Sequence, residues 1–347
     1  PISGDLTTDT NPFELPMQNR VPGVDALYDN GAMSKFATLT AISESPLRQG
    51  LLYTGSDDGL VHVSTDDGAS WNKAGAFPGL PARSLINDVE ASAHEDQTLF
   101  VVADAHKEGD YTPYIYRSTN QGKSWKNIAG DLPEGVIVWA LKQDPVNENL
   151  LFIGAENGLY FSYNQGQNWL KLNAGVPTIS FRDLELHERE GDVIGGTFGR
   201  GIYILDDYTP LRHIAELEAD VNSTILPVRD AWWYIEQVPM QAKGMPSQGS
   251  NTYRAQNPEF GAPNTYLVQD LPKTAAEIRK EQQRALAADN QDIPFPGWEQ
   301  LRDESMEDAP TTLLLIKDEN GHPIRWLKGA SGDGLHRTTW DLRLPAP

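Results

Sequence analysis

The chain has 347 residues, enough for two domains with a buried core, and its 49 acidic and 28 basic residues give a formal net charge of −21. A surface of this charge repels nucleic acid and anionic lipid, so both are poor expected partners. Cysteine is absent, which excludes disulfides, thiolate metal sites and cysteine nucleophiles. No apolar run reaches the roughly 18 residues that would span a membrane.

The most informative feature is a pattern, Ser-x-Asp/Asn-x-Gly-x-x-Trp, that occurs three times. Its defining residues are Ser64, Asp66, Gly68 and Trp71, then Ser118, Asn120, Gly122 and Trp125, then Ser162, Asn164, Gly166 and Trp169. The central Asp/Asn recurs after 54 and then 44 residues, a period that predicts a β-propeller.

The residue types of this pattern suit a tight turn between two strands. Glycine tolerates a positive φ, the Ser and Asp/Asn side chains satisfy nearby backbone N–H groups, and the tryptophan is a large apolar plug. Asn replaces Asp in two of the three copies. An amide can accept a turn hydrogen bond but cannot act as a catalytic carboxylate, so we predict a structural role.

Each copy of the pattern ends a unit of four predicted short strands separated by turn clusters, as in one propeller blade. The predicted strands are 37–42, 51–54, 60–63 and 71–74; 86–91, 98–102, 114–117 and 125–128; 136–141, 150–153, 158–161 and 169–172; and 181–186, 192–194 and 201–205. The fourth unit has no turn pattern. We expect a partial propeller of about three to four blades over 36–207, preceded at 1–35 by the outgoing strand of an earlier blade and a long loop.

The remainder predicts a second, mostly β domain. Residues 208–222 read as a helical linker, with Thr209 as N-cap and Pro210 in the first helical position. Residues 223–347 predict a β-sandwich, with strands at 224–228, 231–235, 266–268, 312–316, 324–327 and 337–342. A helical insertion near 273–305 begins with a capping box formed by Thr274 and Glu277. The predicted fold class is therefore all-β.

The three turn patterns, together with Asp110–Tyr116, Gly158–Ser162, Gly199–Asp207 and Thr338–Arg343, resemble the Asp-box (BNR) repeat family of bacterial glycosyl-hydrolase-like and sortilin-like proteins. The resemblance implies a propeller followed by a β-sandwich. It also implies an extracytoplasmic location, periplasmic or secreted, and the C-terminal part of a longer exported protein. It implies no particular activity, because the same repeat serves enzymes and binding proteins.

In a propeller the ligand face is usually built from the loops opposite these turns. The predicted binding residues on those loops and the adjoining first strands are Asp57, Asp58, Asp110, Tyr111, Trp139, Glu156, Arg182 and Arg200. A glycosidase needs two carboxylates about 5–10 Å apart, and Asp88 and Asp183 are candidates by position. The alternative for both is hydrogen bonding at strand ends.

Other chemistry has weaker support in the sequence. His94, Asp104 and His106 lack a metal-ligand spacing, so no metal site is predicted. The Asp57-Asp58 and Asp66-Asp67 pairs lack EF-hand spacing, so calcium is only an open alternative and no cofactor is expected. No tyrosine pairs with the arginines as a sialidase requires. The aromatic run 232–234 could stack on sugars, but a strand with two buried faces is the preferred interpretation.

The sequence thus predicts a non-catalytic extracytoplasmic binding or assembly module. Its expected partners are the remaining propeller blades, from the same parent protein or another chain, and a carbohydrate or peptide ligand. Two alternatives stay open. One is a glycoside hydrolase whose carboxylates are shared with blades outside this chain, and the other is a sortilin-like receptor for peptides or proteins.

Overall fold

The computed structural model describes residues 3–11, 14–15, 20–21, 36–173, 175–217, 223–235 and 257–344. The fold is mostly β, as predicted, and is built from small antiparallel sheets. The chain divides into two compact units, Pro1–Ala215 and Glu216–Pro347. In the described part, no helix is both long and apolar enough to cross a membrane.

The first unit contains four antiparallel sheets, each formed by strands that are consecutive in the chain. Sheets one and two each have four strands: β1 (Leu39–Glu44), β2 (Leu52–Ser56), β3 (Val61–Ser64) and β4 (Asn72–Lys73) in sheet one, and β5 (Leu85–Ala91), β6 (Leu99–Ala105), β7 (Asp110–Ser118) and β8 (Lys126–Asn127) in sheet two. Sheet three consists of β9 (Val138–Gln143), β10 (Leu151–Ala155), β11 (Gly158–Ser162) and β12 (Leu170–Leu172). Sheet four consists of β13 (Phe181–His187), β14 (Asp192–Thr197) and β15 (Ile202–Leu205). A 3₁₀ helix, His106–Glu108, joins β6 to β7. Of the opening residues 1–7, where the sequence predicts an outgoing strand, residues 3–7 are described and form none.

The sheets pack face to face in chain order. The first strand of each sheet contacts the first strand of the next, so β1, β5, β9 and β13 are called the inner strands. An apolar cluster fills each space between neighbouring sheets. Tyr53 and Tyr116 are fully buried between sheets one and two, Ile115 and Ile153 between two and three, and Phe181 between three and four. This arrangement is propeller-like, because consecutive small sheets pack on one another through apolar side chains with their first strands in contact.

The three repeated turns between the third and fourth strands have one hydrogen-bond scheme. In the first turn the Ser64 hydroxyl donates to Asp66 Oδ1 (2.9 Å) and accepts from the Gly68 N–H (2.8 Å). Asp66 Oδ1 also accepts from the Ser70 N–H (2.8 Å). The other two turns reproduce these bonds within 0.1 Å with Asn120 and Asn164 as acceptors. Asp and Asn are therefore equivalent acceptors in this turn.

The tryptophans of the second and third turns reach back to the preceding sheet. Trp125 Nε1 donates to the Gly75 carbonyl (3.0 Å), and Trp169 Nε1 donates to the Ile128 carbonyl (3.0 Å). Trp71 Nε1 donates to Gly68 within its own turn (3.1 Å). Each later turn thus fastens its sheet to the one before it.

Gly75 marks the closest approach at one of these junctions. A Cβ added there would lie 2.3 Å from the Lys123 carbonyl oxygen, which is backbone and cannot swing away. We expect Gly75→Ala to lower the free energy of unfolding by about 1–3 kcal/mol, as overpacking does. Gly4→Ala is the control, because a Cβ at Gly4 meets nothing within 4 Å. Urea unfolding checks this, and equal stability of the two variants would contradict it.

The first unit ends in a 3₁₀ helix, Thr209–Glu216, at the position of the predicted linker helix. Asp144, fully buried, accepts hydrogen bonds from the Arg212 guanidinium (2.7 and 2.9 Å) and the Tyr208 hydroxyl (2.6 Å). It also accepts from the Asn147 N–H (2.6 Å). This network fastens the 3₁₀ helix to the loop between β9 and β10.

The described residues of the second unit form two small antiparallel sheets and two α-helices. Its described strands are β16 (Ser223–Ile225), β17 (Ala262–Val268) and β20 (Gly334–Trp340) in one sheet, and β18 (Leu313–Lys317) and β19 (Pro323–Lys328) in the other. The helices are α1 (Ala275–Ala288) and α2 (Trp298–Met306). The predicted capping box at Thr274 and Glu277 is confirmed, with both reciprocal bonds present.

The predicted strand at 231–235 is wrong. These residues form no strand, and Trp232, Trp233 and Tyr234 are 76%, 72% and 52% exposed. β16 ends at Ile225, before Pro227, which has no N–H to continue a ladder. No described strand pairs with 231–235, so the two faces expected to be buried have no sheet to cover them.

Candidate ligand site at the inner strands

Every inner strand carries a β-bulge at the same place. The pairing with the second strand skips one residue in each sheet, and this bulge residue is Thr40, Asn87, Trp139 or Arg182 in sheets one to four. A bulge leaves its residue unpaired and re-aims its side chain, which is why bulges are common beside functional sites. The fold therefore presents four register-equivalent side chains.

Two of the four bulge residues bind the main chain of the next sheet. The Thr40 hydroxyl donates to the Ile86 carbonyl (2.6 Å), and Asn87 Nδ2 donates to the Val138 carbonyl (2.8 Å). Each acceptor directly precedes the bulge residue of the following sheet. These two side chains account for contacts between inner strands and have a structural role.

The other two bulge residues contact each other. The Arg182 guanidinium carbon lies 3.5 Å from the centre of the Trp139 ring, a close cation–π contact. Glu156, in the turn between β10 and β11, joins both: its Oε2 accepts from Trp139 Nε1 (2.8 Å) and from Arg182 Nη2 (3.3 Å). The Ser180 hydroxyl donates to the same oxygen (2.9 Å). Three predicted binding residues, Trp139, Glu156 and Arg182, thus come together.

Two further side chains flank this group. Phe198, 73% exposed in the turn between β14 and β15, lies 5.4 Å from the Arg182 guanidinium. His106 meets the Trp139 ring edge-on at 5.8 Å. The set His106, Trp139, Glu156, Arg182 and Phe198 is called the platform below. Sequence reasoning missed His106 and Phe198 as site residues; the signal available was their place in loops opposite the repeated turns.

A buried carboxylate orients His106. Asp104, 1% exposed, accepts from Asn87 Nδ2 (2.7 Å), from the His106 N–H (3.0 Å) and from His106 Nδ1. Because a carboxylate only accepts, Nδ1 carries the proton in this bond. In the neutral ring Nε2 is then an acceptor, and among the described residues it makes no hydrogen bond.

The other predicted binding residues lie outside the platform. The Asp57 and Asp58 side chains are buried acceptors, for the Thr38 N–H (2.7 Å) and the Thr8 N–H (2.6 Å) respectively. Burial raises the pKa of Asp57. Asp110 accepts from the Tyr114 hydroxyl (2.7 Å). These three carboxylates hold local structure.

Tyr111 and Arg200 are exposed. In the described part of the chain, no hydrogen bond, ion pair or ring contact links either of them to the platform. Across the same described residues, no group of three or more histidines and carboxylates is placed to hold a metal ion.

Asp88 and Asp183 occupy equivalent positions, one residue after the bulge in β5 and β13. Both oxygens of Asp88 accept backbone N–H groups, from Val89 and from Leu141 at 2.9 Å each. Burial raises its pKa. Nearby, burial raises the pKa of Glu90 to about 7, although Glu90 pairs with Lys142 Nζ at 3.0 Å. Asp88 lies in the middle of β5 rather than at its end, but both of its oxygens bind backbone donors, so it is not a free catalytic acid.

Comparison with known proteins gives similarity of fold at low identity. No protein-family model and no curated protein sequence matches the chain. A GH74 xyloglucanase from Xanthomonas campestris is 14% identical, with 49% of this chain and 29% of that chain covered and a TM-score of 0.39. A GH74 enzyme from Niastella koreensis is also 14% identical (50% and 29% covered, TM-score 0.40).

YCF48 from Cyanidioschyzon merolae is 21% identical, with 48% of this chain and 52% of that chain covered and a TM-score of 0.35. The chain thus spans about a third to a half of the length of these solved proteins. The structure itself is a mostly β, propeller-like fold with a cation–aromatic group on its inner strands.

Proposed function

We propose that the chain is a non-catalytic binding module that holds a ligand on the platform. The observation that carries this proposal is the Arg182 guanidinium, stacked at 3.5 Å on Trp139 and bonded to Glu156. Stacking and the ion pair fix a long side chain in one geometry before a ligand arrives. Such pre-organisation lowers the entropic cost of binding.

Catalysis by the predicted carboxylates has less support than binding. A glycosidase needs one carboxyl group as acid and a second, unencumbered one as base or nucleophile. Of the two predicted carboxylates, Asp88 is occupied by two backbone N–H groups, whereas Asp183 uses one oxygen for the Leu184 N–H and keeps the other exposed. Glu156 Oε2 accepts from three donors. The glycoside hydrolase alternative therefore requires a second carboxyl group to act with Asp183.

A neutral carbohydrate is the proposed ligand class. The platform combines the exposed Phe198 ring and the Trp139 ring with polar groups that can meet hydroxyls, His106 Nε2 and Glu156 Oε1. A few fixed polar groups among aromatic rings are typical of small-ligand sites. The net charge of −21 opposes anionic ligands.

Trp139→Ala should weaken ligand binding about tenfold or more, as loss of a central aromatic anchor does. The measurement is a screen of neutral polysaccharides and peptides followed by calorimetric titration of any ligand found. Trp298→Ala, which removes a 77% exposed tryptophan outside the platform, is the control. Binding of peptides alone would favour the receptor alternative. Binding unaffected by Trp139→Ala, or no binding in either class, would contradict the proposed site.

The proposal extends to the finer architecture. The three turns are proposed to be Asp-box repeats, the four sheets to be blades of a propeller completed by blades from the same parent protein or another chain, and the second unit to be a β-sandwich. Supporting this, the turns share one bond scheme, and inner strands pack in order. An experimental structure of the intact gene product tests all three points.

An extracytoplasmic location is proposed as well. The absence of cysteine and the acidic surface are compatible with it. Fractionation of a culture into medium, osmotic-shock fluid and cytoplasm gives the test, because an extracytoplasmic protein is found in the first two fractions and a cytoplasmic one only in the third.

A further inference from the structure

Strands β5 and β13 carry the same pair of acids after their bulges. Asp88 and Glu90 in β5 correspond in register to Asp183 and Glu185 in β13. In sheet two both acids are used by the next sheet: Asp88 accepts the Leu141 N–H (2.9 Å) and Glu90 pairs with Lys142 Nζ (3.0 Å). The pair is therefore part of an interface between consecutive sheets.

Sheet four has the acids of that interface but not the donors. Asp183 Oδ1 accepts the Leu184 N–H (2.9 Å), as Asp88 Oδ1 accepts that of Val89. Within the described residues, the second oxygen of Asp183 and the carboxylate of Glu185 accept no hydrogen bond, and both residues are exposed. Lys142 of sheet three is close enough to Glu185 to interact with it electrostatically, but its ammonium group is hydrogen-bonded to Glu90. The two acids of sheet four therefore have hydrogen-bond acceptors that no donor uses among the described residues.

The apolar surface that would belong to such a contact is exposed as well. Ile202 in β15 corresponds in register to Ile115 in β7. Ile115 is fully buried against sheet three, whereas Ile202 is 70% exposed. The opposite side of β15 packs normally, since Tyr203 and Leu205 join the cluster between sheets three and four. One face of sheet four is buried against sheet three. The other face is exposed, although it carries an isoleucine at the position that is buried in sheet two.

We propose that this face of sheet four docks a β-sheet of a second polypeptide, in the way that sheet two receives sheet three. The docked inner strand donates a backbone N–H to Asp183 and, on the next residue, a lysine or arginine to Glu185, and its sheet covers Ile202. This geometry is that of the interface between sheets two and three, which the docked sheet would repeat on sheet four. The proposal deepens the proposed propeller architecture, on which it rests, and is independent of the ligand platform.

A second copy of this chain does not fit the requirement. In sheet one the position equivalent to Lys142 is Ser43, a neutral residue whose hydroxyl accepts the Ala91 N–H (3.1 Å). Two chains of charge −21 also repel each other. The partner strand therefore has a basic residue at the position that Ser43 occupies in sheet one.

The first test compares equivalent residues in the chain itself. Asp88→Asn should lower the thermal unfolding midpoint by about 3 °C or more, because its interface is formed. Asp183→Asn should leave the midpoint within about 1 °C, because its second oxygen has no donor to lose. Equal losses in the two variants would show that the Asp183 face is already occupied, and would overturn the proposal.

The second test captures the partner. The immobilised chain, its Asp183→Asn/Glu185→Gln variant and a control of equal charge change, Asp292→Asn/Glu319→Gln, are each exposed to an extract of the producing organism. The wild type and the control should retain a polypeptide that has the repeated turn pattern and a lysine or arginine at the Lys142-equivalent position. The Asp183/Glu185 variant should retain at least tenfold less of it.

Four results of the capture would overturn the proposal. They are retention that is equal on the Asp183/Glu185 variant, retention only of further copies of this chain, retention of proteins without such a basic inner strand, and no retention at all. Loss of ligand binding in Trp139→Ala does not bear on this outcome, so the two proposals fail separately.

Discussion

Asp144→Ala should lower the free energy of unfolding of the first unit by about 3–5 kcal/mol, the cost of removing one partner from a buried ion pair. The substitution removes the carboxylate that pairs with Arg212, whose side chain is only 16% exposed. It also removes the acceptor of the buried Tyr208 hydroxyl. Urea unfolding followed by tryptophan fluorescence measures the change.

A second variant tests whether the Asp144 effect comes from an uncompensated charge. Asp144→Leu combined with Arg212→Met replaces the pair by apolar groups, and buried pairs replaced in this way often lose little stability. The double variant should be more stable than Asp144→Ala. Asp308→Ala, at an exposed position, is the surface control. A loss below about 1 kcal/mol in Asp144→Ala, the range of an exposed pair, would contradict a structural role for the network.

Phe181→Ala should cost about 3–5 kcal/mol as well, because it opens a cavity in the core between sheets three and four. Phe181 is fully buried, and its neighbours are shaped to it: a Cβ on Gly154 would lie 2.8 Å from its carbonyl oxygen, and one on Gly195 would lie 2.5 Å from its ring. The ring also packs against Tyr203 at 5.9 Å. Chemical denaturation of the variant checks the magnitude.

Phe198→Ala is the matched control for Phe181→Ala. Phe198 is 73% exposed, so its removal should change stability by no more than about 0.5 kcal/mol while weakening binding to the platform. The two phenylalanines thus separate folding from ligand contact. Stability loss of equal size in both variants would contradict the assignment of Phe198 to the platform surface.

The mostly β fold was predictable from the sequence because strand alternation and turn chemistry are local. The Ser and Asp/Asn bonds of the repeated turns, for example, join residues at most four positions apart, as between Ser64 and Gly68, whereas the Trp125 and Trp169 side chains reach acceptors in distant segments. The capping box at Thr274 is equally local. Patterns of this kind contain both the donor and the acceptor of each hydrogen bond.

The platform was only partly predictable, because its contacts join distant segments. Trp139 and Arg182 were candidates by position, but their stacking depends on bulges set by pairing with β10 and β14. His106 becomes fixed only through Asp104, whose burial no short pattern reveals. Asp57 and Asp58 do not join the platform because backbone donors from other segments, Thr38 and Thr8, bind them, and these contacts too are invisible in a short pattern.

The error at 231–235 shows where alternation misleads. An aromatic run satisfies the pattern of a doubly buried strand, but burial requires partner strands supplied by remote parts of the chain. In the structure Trp233 and Tyr234 pack edge-on against Phe260 instead, and both remain largely exposed.

The shared bulge position has two uses in this fold. Thr40, Asn87, Trp139 and Arg182 stand at one geometrically equivalent place on four sheets. Thr40 and Asn87 use this place to bind the next sheet, whereas Trp139 and Arg182 use it to contact each other. One backbone position thus serves packing in two sheets and side-chain stacking in the other two, and the residue that it carries decides which.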